Sequence, residues 1–364
     1  MKWNSSLRLF AAFAYLFVCN RGDSQTLTWT MQTSGTTASL RGIYAVDDQV
    51  AWAGGTEATI LRTLDGGAHW ERCASPAADE PPRKKGEALD FRGIHAWDGN
   101  TAEVLASGPY DLSRVYKTVD GGKTWKLELR EGSKQGFWDA LVYQRADFGL
   151  PGDLNTGVLI GDPVRGQFET RNMIQGNGWY EDPDGCAAPD GQAAYAASNS
   201  SAVVFGSRRY LLGTGGAAGA KVYISPLLLT GLGSNPCRVA KVPMAGGKDS
   251  AGIFALGFRT LKIGIAVGGD YKKPNQAQGT AAWTDDMGLS WKAAATPPHG
   301  YRSAVEWSAE LQAWLAVGTN GSDISRDDGK TWTPVDDGAW NAISLPFVVG
   351  PEGRIARLTV AASK

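Results

Sequence analysis

The sequence predicts an all-β protein built from repeated four-stranded units, and three observations carry that prediction. The 364 residues include 47 Gly and 14 Trp, a pairing that suits short strands joined by tight turns, because Gly supplies positive φ and Trp packs on a pleated surface. One phrase recurs four times with the same spacing of polar and aromatic residues: "RTLDGGAHWER" from Arg62, "KTVDGGKTWKL" from Lys117, "WTDDMGLSWKA" from Trp283 and "SRDDGKTWTP" from Ser325. Long apolar runs are few, and extended helix is not expected outside the N-terminus.

The N-terminus is the exception to the strand rhythm. "MKWNSSLR" places Lys2 and Arg8 ahead of the apolar run Leu9 to Cys19, and polar "NRGDSQ" follows. That order is a secretory signal, and the run is too short for a membrane span. Residues 1–24 are therefore expected to be removed near Gln25, leaving residues 25–364 as one domain in a secreted or periplasmic protein. "LFVC" is a poor lipidation box for Cys19, because Val18 is bulky where a small residue is needed. The formal net charge of −1 gives no basic footprint for nucleic acid or an anionic membrane. Arg83, Lys84 and Lys85 stand among Asp79, Glu80 and Glu87, which reads as a solvated loop.

The recurring phrase has the form Ser/Thr-x-Asp-x-Gly-x-x-Trp. Its copies are Thr63, Asp65, Gly67 and Trp70; Thr118, Asp120, Gly122 and Trp125; Thr284, Asp286, Gly288 and Trp291; Ser325, Asp327, Gly329 and Trp332. The carboxylate can accept hydrogen bonds from its own turn, the Gly takes a conformation closed to other residues, and the Trp fastens the hairpin to its neighbour. Neighbouring acids such as Asp285 with Asp286, or Asp327 with Asp328, do not read as acid/base pairs, since every copy would need the same chemistry.

This pattern is the Asp-box. With "GDPVRGQF" from Gly161, "AGIFALGF" from Ala251, "AVGGDYKKP" from Ala266 and "YRSAVEW" from Tyr301, the chain resembles secreted bacterial relatives of the photosystem II stability/assembly factor family over nearly its whole mature length. The Asp-box is shared with the propellers of sialidases. What the resemblance implies is a propeller used for binding, without a defined reaction or cofactor.

The spacing agrees with units of equal size. Asp120 and Asp286 are about three times as far apart as Asp65 and Asp120, leaving room for two units that keep the strand rhythm but lack the box. Aligned inner strands begin at Leu40, Phe91, Phe137, Ala193, Ala251, Tyr301 and Trp340. The last unit ends after "RIARLTV" without a fourth strand, while "LTWTMQTS" from Leu27 is a strand without a unit. Joining them closes a seven-bladed β-propeller and removes the open sheet edges. A monomer is expected. Three cysteines remain in the mature chain, Cys73, Cys186 and Cys237. Spacing alone leaves their connectivity open, but a bridge between Cys186 and Cys237 is expected because they flank the units that lost their boxes.

The Asp-box joins the third and fourth strands, so it shares an end with the turn between the first and second. The long, varied loops lie at the opposite end, where a rigid frame carries function. There the second residues of the inner strands are expected to ring the channel mouth: Arg41, Arg92, Trp138, Ala194, Gly252, Arg302 and Asn341. Arg41, Arg92 and Arg302 offer donor forks for carboxylate, phosphate or sulfate, with Trp138 as an apolar platform and Asp270 and Tyr271 supplied by a rim loop. The bland alternative is that the arginines pair with Asp139, Asp162 or Asp270 and only fix the ring. The expected partner is a protein segment, an anionic small molecule or a glycan.

Two enzyme readings compete. A sialidase-like glycosidase needs an Arg triad and a Tyr with a Glu partner; Tyr110, Tyr271 and Tyr301 are candidates, but none has an obvious Glu, and the opening Arg-Ile-Pro is absent. An oxidoreductase would use "GTGGAAGA" from Gly213 as a dinucleotide loop, yet no helix follows to receive a pyrophosphate. His69, His95 and His299 lack ligand-spaced company, so no metal is expected. Intact-mass analysis of the exported protein is expected to show a chain beginning near Gln25; a mass that retains Met1 contradicts the signal.

Overall fold

The computed structural model describes residues 26–76, 88–144, 156–173, 176, 178–182, 185–205, 209–226 and 237–361. The expected signal and the Arg83 to Lys85 cluster lie outside them. Every named strand pairs antiparallel with its neighbours. The first sheet runs Leu40–Ala45, Ala51–Gly55, Thr59–Thr63 and Glu71–Arg72 from inside to outside, and sheets of the same order begin at Phe91–Ala96, Trp138–Tyr143 and Ala304–Ser308. The strands starting at Ala202–Phe205 and Lys248–Phe258 form two such units joined into one sheet where Gly215 pairs with Gly252. The C-terminal sheet holds Ala342–Ser344, Phe347–Val349 and Ile355–Ala361, and its outer strand is Thr26–Gln32, in register from Thr26 with Ala361 to Gln32 with Ile355.

The second strand of each unit explains the packing. Ala51–Gly55, Ala102–Ala106 and Ala313–Gly318 are buried at every residue and rich in Ala, Gly and Val. Such a strand has a sheet on each face, so it loses the in-out alternation of a surface strand. Apolar residues accordingly collect at the joins. Trp52, Ile60, Phe91, Ile94 and Tyr116 fill one join, Leu105, Trp138, Leu141 and Leu159 the next. Leu40, Ile43 and Leu61 pack with Phe347, Val349 and Ile355, which brings the C-terminal sheet against the first.

Four of the inner strands carry a bulge near their start. The register slips between Leu40 and Gly42, Phe91 and Gly93, Trp138 and Ala140, and Ile253 and Ala255. The skipped residues Arg41, Arg92, Asp139 and Phe254 have no place in the ladder, and a bulge re-aims the side chain it carries. The residue after each is small because neighbouring inner strands approach closely there. At Gly42 a Cβ would overlap the Arg92 carbonyl.

The Asp-box turns are built as the sequence suggested, with one residue more. Thr118 Oγ1 donates to Asp120 Oδ1 (2.9 Å) and accepts from Gly122 N (3.0 Å). Asp120 Oδ1 accepts from Lys123 N and Thr124 N, and Oδ2 accepts from Thr124 Oγ1 (2.6 Å). Ser290 and Thr331 occupy the Thr124 place in their own turns. Gly122 has φ 77°, where a side chain would be strained. Trp125 donates to Ala74 O (3.0 Å) and meets Trp52 edge-on, and Trp70 meets Phe347 in the same way. Trp291 and Trp332 donate instead to Gly288 and Gly329 of their own turns.

Cys186 and Cys237 are bonded, with Cα atoms 5.5 Å apart. Cys237 immediately precedes the outer strand Arg238–Lys241, and Cys186 lies in the connection that follows Trp179–Glu181. The bridge therefore ties two units together. Cys73 is free, and burial pushes its thiol up to about 11.

Hydrogen bonds from Thr124 and Thr118 hold the exposed Asp120 carboxyl down to about 2. A carboxylate whose folded value is depressed contributes stability above its unfolded value, and the contribution is lost as pH falls through the folded one. Asp120→Ala is expected to lower the melting temperature by a few degrees (~2–4 °C per kcal/mol lost) at pH 7, with the gap to wild type closing between about pH 4 and pH 2. Thermal melts across that range check it. Cys186→Ser with Cys237→Ser is expected to cost about 2–4 kcal/mol, read from denaturant unfolding.

Candidate functional site

At the loop-rich end the bulge residues converge on one pocket. Its lining includes Arg41, Arg92, Asp139, Phe254, Ser303 and Asn341 from inner strands, with Asp162, Asp249, Tyr271, Tyr301 and Thr319 around them. The inner strand of the Ala202 unit departs from the rule. Ala193 bridges Gly215 and Ala202 pairs with Leu212, so the residues between them have almost no partner strand and leave the ladder.

They reach across to other inner strands instead. Ala194 N donates to Asp162 Oδ1 (3.1 Å), and Tyr195 stacks on Phe254 at 4.0 Å while its hydroxyl donates to Asp249 O and Ala251 O. Arg92 Nη1 donates to Ala196 O (3.0 Å), and Ser198 Oγ donates to Ser303 O (2.7 Å). Asn199 pairs through its amide with both backbone groups of Leu141 at 2.7 and 2.8 Å. This crossbar separates the pocket, which meets Ala193 to Ala197, from a second cavity at the Asp-box end, which meets Ser198 to Ser200 and is lined by Ile43, Ile94, Leu141, Val305 and Ile343.

The expected mouth residues divide. Arg41 and Arg92 line the pocket, as do Asp139, Asp162, Tyr271, Ala194 and Asn341. Trp138 does not: it is 1% exposed, packed with Leu105, Leu141 and Leu159, with the Arg171 guanidinium over its ring. Arg302 does not either. It is 0% exposed, ion-paired with Asp323, and donates through Nη1 to Asn320 Oδ1 (2.7 Å) and Tyr301 O. The aligned starts at Phe137 and Tyr301 fall one residue early, so Asp139 and Ser303 stand where Arg41 and Arg92 stand in their own strands and line the pocket. Asp270 is also turned away, its Oδ1 capping Lys272 N (3.0 Å) and its Oδ2 3.8 Å from Lys248.

Arg92 is committed to Asp90 Oδ2 (2.8 Å) as well as to Ala196 O. Arg41 is not committed: its Nε is buried without a hydrogen-bond partner. Burial lowers its pKa, and the Arg92 charge lowers it further against the opposing pull of Asp90. Such a guanidinium favours an anion. Asp139 is pushed well above the usual carboxylate range, by burial first and then by Asp162; burial raises Asp162 to about 6. Tyr301, a candidate for a glycosidase nucleophile, does lie beside Arg41, but no glutamate is among the described lining residues.

Phe254, Ser303 and Tyr195 escaped sequence reasoning. A signal was present: "LRGI", "FRGI", "WDAL", "IFAL", "RSAV" and "WNAI" align as large, channel, small and aliphatic, which places the channel residue correctly in each.

Among solved structures, the chain is similar to YCF48 bound to D1 peptide, at 15% identity and TM-score 0.56, covering 90% of this chain and 94% of that one. It is also similar to YCF48 from Cyanidioschyzon merolae, at 17% identity and TM-score 0.55, covering 91% and 98%. No family model and no curated protein matches the sequence. The fold is that of YCF48, a photosystem II assembly factor and an Asp-box β-propeller.

Proposed function

We propose that the chain is an exported, non-enzymatic, seven-bladed propeller, its ring closed by the strand Thr26–Gln32, that binds a protein segment through an anionic group seated on Arg41. Each inner strand touches the next, and Ala342–Ser344 touches Leu40–Ala45, which supports a closed ring. The unpaired Arg41 Nε carries the binding reading. A buried donor without a partner is costly, and here it faces a cleft walled by Phe254, Tyr195, Tyr271 and Tyr301. Aromatic walls around a few polar groups suit recognition of a segment. YCF48, similar in fold, is known with a D1 peptide bound, which supports a peptide as the class of partner.

Arg41→Met keeps much of the stem packing and removes the fork. It is expected to weaken binding of carboxylate-terminated peptides by about tenfold or more with little change in melting temperature, and wild-type affinity is expected to fall with added salt. Arg302→Met strands a buried Asp323 and is expected to cost about 3–5 kcal/mol of stability. Calorimetric titration and denaturant melts of both variants separate the roles. Unchanged affinity in Arg41→Met overturns the site.

A further inference from the structure

The pocket that meets Arg41 also presents acid. Asp139 and Asp162 both line it. Trp138 pairs with Gly161 across the sheet, so the bulge at Asp139 brings its carboxyl next to Asp162, one residue on from Gly161. Asp139 is 2% exposed, and its Oδ2 is buried with no hydrogen-bond partner. Asp162 accepts one bond, from Ala194 N.

A purely structural role accounts for only part of this wall. Asp162 anchors the crossbar, but the unpaired oxygen of Asp139 anchors nothing. Arg92 is close enough to be felt by Asp139, yet its hydrogen bonds go to Asp90 and Ala196. The residues lining the pocket thus include one with an unpaired donor, Arg41, and one with an unpaired acceptor, Asp139. Burial disfavours charge on both acids in the empty pocket, and a cation placed against them favours the carboxylate form, whereas an anion alone would satisfy only Arg41. Burial strengthens both attractions.

We propose, resting on the reading of Arg41 as an anion seat, that the ligand segment carries two charges: a carboxylate for Arg41 and a neighbouring ammonium or guanidinium for Asp139 and Asp162. The pocket then selects for a pair of opposite charges, which a purely acidic segment lacks. The N–H donors of such a cation would also satisfy the Asp139 oxygen.

The test uses four peptides: acetyl-Ala-Ala-Lys-Ala and acetyl-Ala-Ala-Gln-Ala, each as free acid and as C-terminal amide. They are titrated calorimetrically against the wild-type chain, Asp139→Asn and Asp162→Asn. Asn keeps the size and one acceptor oxygen, and melting temperatures report whether each variant is folded. Wild type is expected to bind the Lys free acid about tenfold more tightly than the Gln free acid, with the ratio falling below about twofold in either variant. Equal affinity of wild type for the two free acids overturns the proposal and leaves the Arg41 seat standing. Equal affinity for free acid and amide overturns the Arg41 seat itself, and binding of none of the four overturns both. If the Asn variants do not fold, the Lys-to-Gln ratio in wild type decides.

Discussion

The close approach of neighbouring inner strands sets the terms for the rest of the molecule. At Gly42 the gap to the Arg92 backbone leaves no room for a methyl group, and Ala or Gly holds the corresponding place after Asp139 and Phe254. Strands this close cannot keep a long side chain in the joint. The residue before the small one is forced out of the ladder and into the lumen. Packing between sheets and the chemistry of the mouth are therefore two results of one constraint. It also divides labour between adjacent residues: Leu40, Phe91 and Trp138 are 0–1% exposed in the joins, while Arg41, Arg92 and Asp139 meet the pocket.

The hydrophobic core follows the same logic. No single centre exists to collapse onto, so each sheet is stabilised by its neighbours, as in other repeat architectures. The Asp-box hairpins contribute locally to this arrangement. Their carboxylates are spent on backbone and hydroxyl donors of their own turns, and their indoles reach the preceding sheet or brace the turn itself. Where the box is missing, the Cys186 to Cys237 bridge links the units covalently.

The sheets were legible because the Asp-box demands its residues for local reasons: Asp120, Gly122 and Trp125 act within one turn and one neighbour, so their spacing survives in the sequence. The mouth was legible only to within one residue. Alignment on the first strand residue gave Arg41 and Arg92 correctly, since the two strands share the words "RGI", but placed Trp138 and Arg302 in the lumen when Asp139 and Ser303 belong there. The large residue that opens each word marks the register, and starting from Phe137 and Tyr301 reads one place early. The crossbar was not legible. "AAYAASNSS" has strand-like alternation at its start, and only contacts with distant residues such as Leu141, Phe254 and Ser303 draw it off the ladder.

The crossbar also decides what shape of partner the mouth can admit. With Tyr195 stacked on Phe254 and Asn199 bonded to Leu141, residues 193–200 stand between the two cavities. On the proposed reading, a segment entering beside Arg41 meets the crossbar at Ala196, which suits an end of a chain or the tip of a tight loop. The proposed recognition is then a matter of depth as well as charge, with a chain end fitting where the same residues in mid-chain would not.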